Sequence, residues 1–346
     1  MTPERFAKIT QHYPHLRIAI LGDFCLDRYL EIDPSKQETS LETGLAVHNV
    51  IRIRAQPGAA GTILNNLSAL GVGKIFPIGF AGEDGEGYEL IRSMRQQRGV
   101  RLDYFVQTPH RHTFTYCKPL VMEAGRPPRE LHRLDIKNWT PTPASVENQL
   151  IQALWAAADQ VDALIVMDQV EEPETGVVTT RILQELACLA AQRPKLRILA
   201  DSRRGLHGYP PVCLKMNRRE LSRLTGLGSE VSLPQVQQEA VALAQGNGQP
   251  VFVTLAEQGL LGASPLGSVD YLPAFPLRGD IDIVGAGDAV TANLLAALSA
   301  GASIREALEL ASAAASVVIH QLGTTGTASV AQLQELLYHT YRSFPQ

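Results

Sequence analysis

Residues 280–301 read DIDIVGAGDAVTANLLAALSAG. Gly285, Ala286 and Gly287 stand directly before Asp288, and the alanine- and leucine-rich run that follows favours a helix. Small residues let a backbone approach a ligand closely. A helix N-terminus adds unpaired N–H groups and a positive dipole end, which suit an anion such as phosphate. A carboxylate in that place would repel the anion, so Asp288 needs another partner. One reading makes it a general base that takes the proton of an attacking hydroxyl. The amides of Gly285, Ala286 and Gly287 then stabilise charge on a transferring phosphoryl group. The other reading is a tight turn with an acidic residue at a helix start, and spacing alone leaves both open. A dinucleotide-binding G-x-G-x-x-G fits less well. Val290 occupies the third glycine's position and no early strand–helix–strand context surrounds it.

Working outward, short apolar runs rich in β-branched residues alternate with helical patterns. RIAILGD (17–23), KIFPIGFAG (74–82), ALIVMD (163–168), LRILAD (196–201), VCLKMN (212–217) and PVFVTLA (250–256) read as strands. AAGTILNNLSALG (59–71) and YELIRSMRQQRG (88–99) read as helices. Strands apolar on both faces and spaced by helices imply an α/β fold with a mostly parallel sheet covered on both sides. Asp23, Asp168, Asp201 and Asn217 each close a strand. Ligands of open α/β sheets bind beyond the strands' carboxyl ends, so these four groups are expected near one site. Segments 29–55 and 114–135 break the alternation. They read as strands with turns, a small β lid over that crevice.

Bulk properties narrow the class. The chain has 346 residues, 45% of them hydrophobic, enough for one large domain. A net charge of -4 does not suggest a nucleic-acid-binding surface. Cys25, Cys117, Cys188 and Cys213 form no C-x-x-C pair, which argues for a reduced, cytoplasmic protein without a structural zinc site. His110 and His112 read as ordinary loop residues. The first twenty residues lack the apolar core of a signal peptide, and Arg305, Glu306 and Glu309 interrupt the apolar C-terminal region, against a membrane span. Residues 1–346 are expected to form a single domain, with a last helix in SVAQLQELLYHTYRSF (329–344) and no second catalytic domain.

Three more constellations stand out. Asn217 closes a strand and Glu220 lies three residues on. Both side chains can reach a metal–phosphate group through water, or they form an ordinary capping box. Asp27, in GDFCLDRY (22–29), can accept hydrogen bonds from sugar hydroxyls or pair with Arg28. Gly58, Ala59, Ala60 and Gly61 admit a ligand at a helix start or serve close helix–strand packing.

In order and together, these pieces resemble the ribokinase-like, or PfkB-type, carbohydrate kinases. The resemblance runs from Arg17 to about Leu337. DIVGAGDAV (282–290) is similar to the family's D-T-x-G-A-G-D signature, Asn217 and Glu220 match its N-x-x-E, and GEDGEG (82–87) matches its G-x-D-x-x-G. LGDFCLDRY, HRLDI, VTLAEQGL and HQLGTTGTAS look like its heptose-7-phosphate kinase subgroup. The resemblance implies a three-layer α/β/α sandwich with a small β lid. It implies ATP and Mg²⁺ as cofactors, and a small-molecule sugar or sugar phosphate as acceptor. It implies no nucleic acid or membrane, and in this family the lid's exposed face often pairs with a second copy. Asp288 would be the base, with Gly285, Ala286 and Gly287 as the anion hole. Asp27 and Gly58 would hold the sugar. Asn217 and Glu220 would organise the phosphates, with Glu220 reaching Mg²⁺ through water. Thr254 and Gly259 would line the nucleotide site. Arg203 would stand where the heptose kinases have a lysine and touch a phosphate. Asp282, with the loop around Gly323, matches a region that binds a monovalent cation such as K⁺ in some relatives.

There are departures. Where the heptose kinases read P-G-G-A-A-N, residues 57–62 read PGAAGT. Ala59 replaces a glycine, and Thr62 replaces an asparagine, which has a larger donor and acceptor set. Ser312 replaces an asparagine expected near the adenine. A kinase for another sugar or nucleoside, of ribose or fructose type, and a non-catalytic sugar- or nucleotide-binding relative are the rival readings. For a sugar phosphate, Arg52, Arg54, Arg111, Lys118 and Arg133 are the basic residues placed in or beside the lid.

Overall fold

In the computed structural model, which describes residues 1–228 and 231–338, the apolar runs become an eight-stranded sheet. Its order is Val269–Leu272, Leu260–Ala263, Val251–Thr254, Cys213–Asn217, Arg197–Ser202, Ala163–Asp168, Arg17–Gly22, Lys74–Ile78. All pairings are parallel from Val251–Thr254 to Lys74–Ile78, and the two strands at the other edge run antiparallel. The central strands are buried on both faces. In Arg17–Gly22, Ile18 and Ile20 pack on one side with the helices Ala60–Ala69, Ala286–Ser299 and Ile304–Val318. Ala19 and Leu21 pack on the other with Ala144–Ala158, Thr180–Gln192 and Leu233–Asn247. This is the expected three-layer sandwich.

The run 74–82 is not one strand. Lys74–Ile78 joins the main sheet, whereas Phe80–Gly82 pairs separately with Val106–Thr108. The break falls at Gly79, where a Cβ would stand 2.6 Å from the Gly22 carbonyl oxygen. The chain bends there to pass the neighbouring strand and the Phe24 ring. Of the last expected helix, Val330–Tyr338 is observed, and 339–344 lie outside the described residues.

A second sheet holds the two irregular segments. Phe24–Ile32 pairs antiparallel with Val50–Ala59 and parallel with Thr115–Val121, which also carries Arg129–Glu130 and Leu134–Ile136. Only Asp23 separates Arg17–Gly22 in the first sheet from Phe24–Ile32 in the second, and Val50–Ala59 passes directly into the helix Ala60–Ala69. The second sheet is thus joined without linkers to the carboxyl end of the first. Among the described residues, no helix is long and apolar enough to cross a membrane.

Candidate active site

Between the two sheets lies a cleft of about 690 Å³, a size usual for small-molecule sites. The main sheet's side contributes Arg203, Gly285 and Asp288, the second sheet contributes Asp27 and Ala59, and the helix Ala60–Ala69 contributes Thr62. The helix Ala286–Ser299 starts after Gly285, whose φ of 84° only glycine adopts freely. Asp288 sits in its first turn and lines the cleft. Burial pushes the Asp288 carboxyl up to about 7, helped by the charges of Asp201 and Asp27 and opposed by Lys215 and Arg203. The carboxyl is half-buried: it faces the cleft, with protein packed closely around it.

Asp27 is 6% exposed and points in from the opposite wall. Arg28 does not neutralise it, because that guanidinium pairs with Glu86 and Glu89. Burial raises the Asp27 pKa against the pull of Lys118 and Arg133. Gly58 does not itself line the cleft, but a Cβ there would stand 2.6 Å from Asp27 Oδ2, so the glycine makes room for the carboxylate. Thr62 is 1% exposed, and its hydroxyl has no hydrogen-bond partner.

Ala59 adopts φ 55°, ψ −117° at the start of Ala60–Ala69. A side chain there strains the backbone by roughly 1–3 kcal/mol, and Ala59 also lines the cleft. Relief of strain outweighs the ~0.5–1 kcal/mol of added chain entropy that a glycine brings. Ala59→Gly is therefore expected to raise stability by about 1 kcal/mol, as read by urea denaturation.

Asn217 and Glu220 form the capping box in full. Asn217 Oδ1 accepts from the Glu220 N–H at 2.9 Å, and Glu220 Oε2 accepts from the Asn217 N–H at 2.7 Å. Thr254 is the cross-strand partner of Asn217. Gly259 (φ 101°) closes the turn after Ala256–Gln258, against the Leu272 carbonyl, where a side chain has no space. Arg218 hydrogen-bonds Gln258 across this gap. Asn217, Glu220, Thr254 and Gly259 thus lie at or just beyond the carboxyl ends of two neighbouring interior strands, and none of them lines the cleft. One Glu220 oxygen is engaged by the cap. Among the described residues no group of three or more histidine, cysteine or acidic side chains could hold a metal.

Asp282 Oδ1 accepts from the Val284 N–H at 3.1 Å and Oδ2 from the Gly323 N–H at 3.3 Å, joining the two loops paired in the sequence reading. Ser312 is buried within Ile304–Val318.

The acidic strand ends do not converge on the cleft. Asp23 is fully buried and accepts from the N–H groups of Gln169, Val170 and Val177 at 2.9, 3.1 and 2.7 Å, which pins that loop. Burial and the nearby Asp168 raise its pKa to about 6 against those three donors. Asp168 is bound by Ser202, Arg204 and Tyr209. Asp201 pairs with Lys215, a residue that the sequence reading missed: Lys215 Nζ lies 2.7 Å from Asp201 Oδ2, and both are buried.

Of the five basic candidates, only Lys118 and Arg133 line the cleft. Each lies over a tyrosine ring, Lys118 on Tyr29 at 5.0 Å and Arg133 on Tyr116 at 5.1 Å. Arg111 is buried elsewhere, donating to the carbonyls of Thr140, Pro141 and Thr175. Arg52 and Arg54 pair with Glu31. Lys137, which also lines the cleft, was not anticipated.

Residues 24–331 match the pfkB family carbohydrate kinases. The bifunctional protein HldE of Bradyrhizobium sp. (strain ORS 278) is 28% identical over 98% of this chain and 67% of its own length. That of Azorhizobium caulinodans is 30% identical over 93% of this chain and 64% of its own. The chain thus spans about two thirds of the length of these relatives. Phosphofructokinase-2 from Escherichia coli, solved in complex with potassium, has a TM-score of 0.70 at 20% identity, covering 93% of this chain and 98% of its own. Arabidopsis thaliana ribokinase, complexed with ribose and ATP, has a TM-score of 0.66 at 20% identity, covering 93% and 99%. Both show the ribokinase-like fold. By the match across residues 24–331, this chain belongs to the pfkB family of carbohydrate kinases.

Proposed function

We propose that the cleft transfers the γ-phosphate of ATP to a hydroxyl of a phosphorylated sugar, in the manner of a heptose-7-phosphate kinase. The observation that carries this reading is the placement of Asp288. It stands behind a glycine turn at a helix N-terminus and faces Asp27 across a cleft of about 690 Å³. Asp27 and Thr62 orient the sugar, and Gly58 leaves the space for Asp27. Asp288 takes the hydroxyl proton as the oxygen attacks phosphorus and the bond to ADP breaks. The amides of Gly285, Ala286 and Gly287 hold the charge on the phosphoryl oxygens, so the protein's part is positioning and electrostatics. Asn217 and Glu220 orient the phosphates, with Thr254 and Gly259 beside the nucleotide. A bound Mg²⁺ would supply further charge neutralisation, with Glu220 behind its water shell.

Lys118 and Lys137 favour a phosphorylated acceptor, and Arg133 and Arg203, which also line the cleft, pair there with Asp135 and Glu171. Turnover across a panel of neutral and phosphorylated sugars with ATP tests this. Equal rates for the two forms of one sugar overturn the substrate class, and no transfer to any sugar overturns the activity.

Residues 1–346 are read as one kinase domain, with 29–55 and 114–135 as a lid whose closure excludes water. Ile51 and Ile53 on one strand, and Leu134 and Ile136 on another, are exposed on the second sheet. That favours pairing with a second copy there. A monovalent cation at the loops of Asp282 and Gly323, and a cytoplasmic location, which agrees with four free cysteines, complete the proposal.

A base with a raised pKa gives a pH signature. Below about 7 the Asp288 carboxyl is protonated and cannot accept the hydroxyl proton. The rate is therefore expected to fall roughly tenfold per pH unit on the acid side and level off above that point. Burial sets this value first, followed by the charges of Asp201, Lys215, Asp27 and Arg203. A flat profile of kcat from pH 5 to 8 overturns the raised pKa of Asp288.

A further inference from the structure

A second cavity, of about 290 Å³, shares Thr325 with the cleft and otherwise has its own walls. It lies between the strand Val50–Ala59, the helix Ala60–Ala69 and the last turn of the helix Gly85–Arg95. Its volume is at the lower end of small-molecule sites. Gln56 stands at the boundary between the two cavities. Its carbonyl oxygen accepts from Thr324 Oγ1 at 3.1 Å, and its amide nitrogen donates to the Thr325 hydroxyl. These bonds tie the strand to the loop whose Thr325 faces both spaces.

Asn65, which lines this second cavity, is 9% exposed. Its amide nitrogen donates to the Pro57 carbonyl at 3.3 Å, but its oxygen Oδ1 is buried with no partner among the described residues. A buried carbonyl of that kind calls for a donor. The side chains of Ser93, Gln96, Gln97 and Thr327 line the same space, and among the described residues none of them has a hydrogen-bond partner. Amides and hydroxyls both donate and accept. None of the lining residues is charged. An ion entering would give up water with no counter-charge to replace it. A hydroxyl-bearing neutral molecule matches the wall, because each hydroxyl can donate to one lining group and accept from another. Ala55, Pro57 and Ala69 supply apolar surface for its C–H faces.

We propose that this cavity is a second binding site, for a small uncharged polyhydroxy molecule such as a polyol or an unphosphorylated sugar. One hydroxyl donates to Asn65 Oδ1, and others exchange hydrogen bonds with Ser93, Gln97 and Thr327. The site differs from the cleft in the charge it accepts. The cleft carries Lys118 and Lys137, whereas this cavity has no cation to hold a phosphate. Its occupancy does not require phosphoryl transfer in the cleft.

Sorbitol, ribitol and glucose are the probes, and saturation-transfer NMR on the full chain without nucleotide reads their binding. A Kd on the order of 1 mM is expected, the scale for a neutral ligand of about a dozen heavy atoms. Because the same probes can enter the cleft, two variants separate the sites. Asp27→Ala removes the carboxylate in the cleft and should leave binding within about twofold of the parent. Ser93→Trp fills the second cavity from a half-buried position and should abolish binding, with melting temperature and turnover kept. Where Ser93→Trp does not fold, Gln96→Trp, from an exposed position, takes its place. Asn65→Leu should weaken binding roughly tenfold, the loss of one hydrogen bond. Glucose 6-phosphate should not displace glucose from Asp27→Ala. No saturation transfer from any of the three probes in the parent overturns the proposal. So does binding that is lost in Asp27→Ala or that survives the tryptophan, since either places the ligand outside this cavity. Displacement by glucose 6-phosphate overturns the ligand class.

Discussion

Asp288→Asn is expected to lower kcat by about 10²–10⁴-fold while MgATP still binds. The range is that of a lost general base. Binding survives because the amides of Gly285, Ala286 and Gly287 and the helix N-terminus are untouched, and loss of a carboxylate near the γ-phosphate removes a repulsion. A second readout separates the base from a mere helix cap. The folded carboxyl titrates at about 7 against an ordinary 3.8. An acid with a raised pKa favours folding fully at pH below its unfolded value, and loses that contribution as pH rises through the folded one. The neutral amide should therefore raise Tm at pH 8. That gain should shrink as pH falls from about 7 toward 3.8. A cap would show the reverse, with Tm lowered near neutrality because a carboxylate favourable to the helix N-terminus has gone. Steady-state rates and melting curves over that range decide the matter.

Gly58→Ala is expected to raise the sugar KM by about 10- to 100-fold, the ~1.5–3 kcal/mol of a hydrogen bond to a charged group. The added methyl would lie 2.6 Å from Asp27 Oδ2 and 2.8 Å from its Cγ, so the carboxylate must turn away. MgATP binding should be unaffected. A double-mutant cycle makes the assignment specific, since the Gly58→Ala penalty should largely vanish once Asp27 is already alanine. If the penalty persists there, Gly58 acts through the backbone and not through Asp27.

The local geometry that sequence spells out was legible. The glycine turn before Asp288 and the helix after it lie within one short stretch, and so does the Asn217–Glu220 capping box. The strand–helix alternation gave the layers, because a parallel sheet buried on both faces has to be written in unbroken apolar runs. What sequence did not show depended on register and packing. Lys215 reads as a flaw in an apolar strand until pairing sets it beside Asp201, fourteen positions upstream, a distance with no local signal. Arg111 reads like any loop arginine, yet three carbonyls bury it away from the cleft. Asp23 looks like a ligand group by position, but its oxygens are fully engaged by backbone N–H donors. The departure at Ala59 was visible as a substitution, whereas the positive φ that gives it meaning required the fold.

The two long strands of the second sheet both run into the cleft. Phe24–Ile32 carries Asp27 near its start, Val50–Ala59 ends at Gly58 and Ala59, and Cys25 faces Gly58 across the ladder. On the proposed reading, with Asp27 holding the sugar, the sheet is a lever whose fulcrum is the sugar site itself. A tilt of its far edge would then change the spacing between Asp27 and the helix Ala60–Ala69. Opening the cleft and loosening the grip on the sugar would be one motion, and product escape and loss of alignment would occur together.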